Sequence, residues 1–170
     1  MQVISFVAAT SGSGKTTLIE KVVRILKSRG LRVAIIKHAS AGFDIDRQGK
    51  DSWRFQQAGA DAVVLVGPDR VAFMKNIDGE PSPRDWEPLL TDADIVIQEG
   101  FKQNAVNKIE VFRHAVSGER PLCMDDASYL ALVSDSHFDV EIPRFDLNDA
   151  EGVAEFIVRT FVRMNTKGRS

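Results

Sequence analysis

The chain of 170 residues is 44% hydrophobic and 27% charged, with a net charge of −2 and an isoelectric point near 5.9. That length suits one α/β domain, and the near-neutral balance offers no general field for nucleic acid or an anionic membrane, so neither is expected as a partner. The single cysteine, Cys123, excludes an intrachain disulfide framework and a zinc cluster, and reads as a lone thiol of a reducing compartment.

Residues 3–8 form an apolar, β-branched run short enough for a buried strand. Those residues are needed for the strand, no basic region precedes them, and no stretch reaches the length of a membrane span, so a cytoplasmic protein is expected. Ala9 and Thr10 give way to Ser11-Gly12-Ser13-Gly14, and Lys15-Thr16-Thr17 opens a helix with Leu18, Ile19, Val22, Val23, Ile25 and Leu26 at helical spacing. Gly30 is placed to end it. Strand, glycine turn, Gly-Lys-Thr and helix together make a phosphate-binding loop in its required context. Backbone N–H groups of residues 11–17 would cradle phosphates, with Gly12 and Gly14 leaving room where a Cβ would obstruct. Lys15 would place its charge at the β/γ-phosphates as the catalytic cation, and Thr16 would offer its hydroxyl to Mg2+. The strict pattern wants glycine at position 9, where this chain has Ala9, the smallest replacement.

Residues 32–37 read as a second buried strand, parallel to the first by a right-handed crossover. Residues 38–51 form a polar loop, 52–58 a short helix closed at Gly59, and 61–66 with 70–74 an antiparallel hairpin attached to the main sheet. A short helix over 84–90 follows, then strands at 94–98, 108–112, 130–133 and 142–145, with a looser segment at 117–128. Asp149 caps a last amphipathic helix, and 165–170 is a polar tail prone to fray. The expected fold is one domain over 1–164, a mostly parallel twisted sheet of seven or eight strands flanked by helices, with one antiparallel hairpin.

Ligands of such sheets sit beyond the carboxyl ends of the strands. Glu99, closing the 94–98 strand, is placed to hold Mg2+ directly or through water, whereas Asp94 lies at the opposite end. Lys37 ends the second strand, and Asp46 in the loop beyond could organise the γ-phosphate or an attacking water; Asp44 and His38 are weaker candidates. His38, Asp44, Asp46 and His114 make no recognisable transition-metal pattern. Asn107-Lys108-Ile109-Glu110 imitates the N-K-x-D guanine motif but precedes a strand instead of following one. Asp135 does follow a strand, where its carboxylate could accept the N1–H and N2 amino hydrogens that guanine offers and adenine lacks.

The stretches ATSGSGKTTL, IIKH, FDIDRQGKDS, QAGA, IVIQEGFK, KIEVFR, ALVSD and DLND-AEGVAEF, in that order, resemble the MobB family of GTP-binding proteins of molybdopterin guanine dinucleotide synthesis. The resemblance covers residues 3 to about 164; Arg47-Gln48 departs from the Lys-Pro expected before GKDS. It implies a P-loop protein of the SIMIBI branch that binds GTP with Mg2+, hydrolyses it weakly and forms a homodimer. It further implies an adapter to the MobA-type guanylyltransferase, with molybdopterin as a further ligand. The implied site comprises residues 12–17, Glu99 and, in EGFK, Lys102 as a phosphate or pterin-phosphate contact. With no obvious arginine finger or committed base, slow turnover is expected. A small-molecule kinase is the enzyme alternative, although the arginines are scattered and form no lid. A MinD-like ATPase switch would carry a signature lysine where this chain has Thr10.

Overall fold

The computed structural model describes residues 2–39, 42–79, 82, 85–101 and 105–162. The chain divides into two compact units, Met1–His38 with Leu90–Ser170, and Ala39–Leu89.

The first unit holds a six-stranded sheet in which every pairing is parallel. Its strands are β1 (Gln2–Val7), β2 (Val33–Lys37), β5 (Ile95–Glu99), β6 (Lys108–Phe112), β7 (Tyr129–Ser134) and β8 (Arg144–Asp146), ordered β2-β5-β1-β6-β7-β8. Helices α1 (Lys15–Ser28) and α4 (Ala150–Phe161) cover one face. There Leu18, Ile19, Val22 and Leu26 of α1, with Val153, Ala154 and Ile157 of α4, close over Ile4, Phe6, Ile95, Ile97, Ile109, Val111 and Val133. The stripe on α1 is the one its spacing predicts, and Gly30, at φ +81°, turns the chain out of the helix. Arg29 ties the two helices together through Glu151 and Glu155.

The opposite face carries polar residues among its apolar ones. Ser5 donates to Gln98 (2.9 Å) and accepts from the Val106 N–H (3.1 Å), while Asn107, at φ +49°, donates its amide to the Val3 carbonyl. Glu110 is fully buried, its two oxygens accepting the N–H groups of Leu122 and Cys123, each at 2.8 Å. These bonds explain how a carboxylate sits inside a strand: two backbone donors replace its water. They also order the 117–128 segment, which reads as loose in sequence but contains the end of α3 (His114–Ser117) and a 3-10 turn at Leu122–Met124. Burial and the Glu110 charge push the Cys123 thiol up to about 12, which disfavours its thiolate.

The second unit contains α2 (Asp51–Gln57), the strands β3 (Ala62–Val66) and β4 (Val71–Lys75), and a 3-10 turn at Glu87–Leu89. β3 and β4 pair antiparallel, with Val64 opposite Phe73 and Val66 opposite Val71. They form a sheet of their own, which corrects the expectation of a hairpin joined to the main sheet. Alternation identifies a strand but not its non-local neighbour, so the misplacement has a physical cause. The helix expected over 84–90 is only the 3-10 turn within the described residues, and the 165–170 tail lies outside them. The last strand, expected over 142–145, runs Arg144–Asp146, α3 was not expected, and the other expected strands and helices overlap the observed ones, giving six parallel strands plus two antiparallel ones.

Candidate functional site

The glycine turn between β1 and α1 is shaped by backbone conformation. Gly12 and Gly14 have φ of +78° and +91°, left-handed values that favour glycine. A Cβ on either would meet no protein atom within 4 Å, so in the protein itself the need is conformational and not one of crowding. Gly14 caps α1, whose first turn has no acidic residue and no side-chain cap, leaving its N–H groups and dipole for an anion. Ser13 is buried, and Lys15 folds back over the turn, its Nζ 3.2 Å from the Thr10 carbonyl and 3.3 Å from the Ser13 hydroxyl. Thr10 in turn donates to the Val116 carbonyl (2.8 Å), tying the turn to α3.

Sheet register brings the remaining partners alongside. Phe6 of β1 and Lys37 of β2 both pair with Glu99, so β1, β2 and β5 end at one level. The Thr16 hydroxyl donates to Glu99 Oε1 at 2.6 Å, and Lys37 Nζ lies 3.6 Å from Oε2. Glu99 is only 9% exposed, whereas the Lys37 side chain is 60% exposed. Thr16, Glu99 and Lys37 thus meet at the carboxyl ends of β2 and β5, while Lys15 lies over the adjoining turn.

Gly100 supports it in a way the sequence reading missed. The His38 N–H donates to the Glu99 carbonyl (2.9 Å), and a Cβ on Gly100 would come within 3.1 Å of the His38 carbonyl, at a φ of +91°. A glycine directly after a strand-end carboxylate was the available signal. His38 itself packs on Phe101, with ring centroids 5.1 Å apart.

Other expected residues are placed differently. Asp135 lies two strands from β1 along the same carboxyl edge, about 10 Å by strand spacing. Its Oδ1 accepts from the His114 N–H (2.9 Å) and the Ser136 hydroxyl (3.3 Å), and it borders an open depression of about 510 Å3 with His137 and Arg144. Asp46 belongs to the Ala39–Leu89 unit, where its Oδ1 accepts from the Arg47 N–H (2.8 Å) and the Ser52 hydroxyl (3.0 Å), organising the turn into α2. Lys102 lies outside the described residues. Ser11 and Thr17 flank the turn and are exposed.

Among the described residues no three His, Cys, Asp or Glu side chains cluster as a metal cage. The donors present, one hydroxyl and one carboxylate, suit Mg2+, which keeps several waters and takes other ligands from phosphates.

The family model for molybdopterin guanine dinucleotide synthesis protein B matches residues 3–135. The molybdopterin-guanine dinucleotide biosynthesis adapter protein of Escherichia coli (strain K12) is 35% identical over 164 residues, covering 93% of each chain. That of Haemophilus influenzae is 36% identical over 151 residues, covering 86% of this chain and 83% of the relative. A crystal structure of molybdopterin-guanine biosynthesis protein B superposes with a TM-score of 0.72 at 31% identity, over 92% of this chain and 98% of that one. Bacillus subtilis MobB, at 19% identity and a TM-score of 0.71, shares the fold. With fold, chain length and sequence agreeing almost end to end, the chain belongs to the molybdopterin guanine dinucleotide synthesis protein B (MobB) family.

Proposed function

We propose that the chain binds GTP with Mg2+ at the glycine turn, hydrolyses it slowly, and acts as an adapter to the MobA-type guanylyltransferase that joins GMP to molybdopterin. The observation that carries this reading is the 2.6 Å bond from Thr16 to the buried Glu99, beside Lys15 and an uncapped helix start. Thr16 and Glu99 would hold the Mg2+, which neutralises charge on the β- and γ-phosphates when bound. Lys15 and the turn's N–H groups would bind and orient the triphosphate, and Lys37 would add positive charge beside Glu99.

Slow turnover is supported by the engagement of four arginines away from the glycine turn. Arg29 holds Glu151 and Glu155, Arg32 holds Asp94, Arg120 holds Asp125, and Arg144 donates to the Phe138 carbonyl. Guanine preference is assigned to Asp135, whose carboxylate the His114 N–H pins at the same strand edge. The homodimer reading is supported by one face of the hairpin, where Val64, Val66, Val71 and Phe73 stand side by side and exposed. A cytoplasmic setting agrees with the lone unpaired cysteine, and no described helix is long and apolar enough to cross a membrane.

Isothermal titration of GTP and ATP with Mg2+, with and without the transferase, tests the reading. GTP is expected to bind more tightly than ATP, and Lys15→Ala is expected to weaken GTP by at least about tenfold, the loss of one charge-assisted contact. Equal GTP affinity in Lys15→Ala would remove the site.

A further inference from the structure

The glycine turn is gripped from two sides. On the β5 side Thr16 bonds Glu99, and on the β6 side the Thr10 hydroxyl donates to the Val116 carbonyl of α3 at 2.8 Å. Register explains the second grip. Val7, the last residue of β1, pairs with Glu110 of β6, so the chain leaving β6 runs beside the turn. Thr10 is engaged through both polar groups, because its carbonyl accepts the Lys15 ammonium at 3.2 Å.

α3 is weak as a helix. It has four residues and no side-chain cap, whereas an isolated helix is marginal even at ~12 residues. His114, Ala115 and Val116 are exposed, and of its four residues Ser117 alone is buried. Apolar packing therefore contributes little, and polar bonds set its position. Arg113 closes the turn on itself, its N–H donating to the Ser117 hydroxyl (3.0 Å) and its carbonyl accepting the Ser117 N–H (2.8 Å). Outward, the His114 N–H donates to Asp135 Oδ1 (2.9 Å) and the Val116 carbonyl accepts from Thr10. Farther along, Leu122 and Cys123 are tied to the buried Glu110. An element with so few buried contacts belongs to the low end of local stability, where one bond shifts its population.

The two ends of this connection differ in chemistry. A phosphate drawn into the turn competes with the Thr10 carbonyl for Lys15 Nζ and orders the turn's N–H groups, so Thr10 responds when the turn fills. Asp135 lies two strands away, about 10 Å by strand spacing, beyond contact with an oxyanion seated in the turn.

We propose that α3 couples the glycine turn to Asp135, with Thr10 and Asp135 as positioning residues at its two ends. Phosphate in the turn fixes Thr10 and thereby α3, and α3 fixes the Asp135 carboxylate through the His114 N–H. The proposal rests on the reading of the turn as a phosphate site and is independent of the base that a nucleotide carries. Coupling is reciprocal, so loosening α3 at either end must weaken phosphate binding.

The test uses the full chain with pyrophosphate and Mg2+, a ligand that has phosphate oxygens and no base. Isothermal titration reads the turn, and hydrogen exchange over residues 113–124 reads α3. Saturating pyrophosphate is expected to slow that exchange about fivefold in the parent, the low end of ordinary coupling. In Thr10→Val, which keeps the shape and lacks the donor, exchange should not respond; Thr10→Ser should behave as the parent does. Asp135→Ala is expected to weaken pyrophosphate about threefold, the loss of one neutral hydrogen bond felt at a site it does not touch. Asp135→Asn, whose amide oxygen still accepts the His114 N–H, should restore the affinity. Because both residues act through α3, combining Thr10→Val with Asp135→Ala should weaken pyrophosphate no more than the stronger single variant does. The proposal is overturned, with the phosphate site left standing, by any of three results: exchange over 113–124 unaffected by pyrophosphate, Thr10→Val responding as the parent does, or Asp135→Ala binding pyrophosphate at full strength. A parent that binds GTP but not pyrophosphate also overturns it. A parent that binds neither loses the phosphate site itself.

Discussion

Glu99 is held between a hydroxyl and an ammonium, and that placement separates its two contributions. Glu99→Gln retains an acceptor for Thr16 but loses the charge that, in the proposed function, would attract Mg2+. Its GTP affinity with Mg2+ is therefore expected to approach its affinity in EDTA, whereas the parent should lose affinity on chelation; paired titrations measure both. Asp126 offers a residue-level test of stability. The Ser128 hydroxyl and the Lys108 ammonium, with the Ser128 N–H, hold its carboxyl well below the ordinary range. A depressed folded-state pKa stabilises above the unfolded value, near 3.9, and the benefit is lost as pH falls through the folded value. Urea unfolding should show Asp126→Asn less stable than the parent at pH 6, with the gap narrowing steadily below about pH 4.

At the scale of elements, α4 carries a conflict between two local preferences. Asp149 caps the helix by accepting the Gly152 N–H at 2.8 Å, yet a Cβ on Gly152 would come within 2.3 Å of the same carboxylate. Glycine in a helix costs about 1 kcal/mol against alanine, and an aspartate cap is worth about 1 kcal/mol. Gly152→Ala should thus be close to neutral in the parent, because the carboxylate must swing away, and stabilising by about 1 kcal/mol when Asp149→Ala has already removed the cap. A denaturation double-mutant cycle reads this coupling. Ile157, fully buried between α4 and the sheet, has no such compensation, and Ile157→Ala should cost about 2–5 kcal/mol.

The hairpin exposes an apolar face, which the proposed homodimer would cover. Val64→Lys with Val66→Lys should shift the sedimentation equilibrium to monomer while leaving GTP titration unchanged. The parallel character of the main sheet was legible in sequence: alternation of strand and helix, with glycine punctuation, predicts it, and Glu99, closing the 94–98 strand, could be placed at the carboxyl edge near the glycine turn. Less legible were features set by distant pairing. Nothing local in residues 61–75 says that the hairpin makes its own sheet. Glu110 reads only as the acidic position of an imitated guanine motif until its donors at Leu122 and Cys123 are known. Asp46 accepts from Arg47 and Ser52 within its own loop, bonds that its sequence position does not announce.

The absence of an acid or a side-chain cap in the first turn of α1 has a practical side. An empty protein presents concentrated positive potential there, and sulfate or inorganic phosphate in a buffer will compete for it. Apparent nucleotide affinity should consequently drop in such buffers and recover in chloride, and the melting temperature of the nucleotide-free chain should climb as either oxyanion is added.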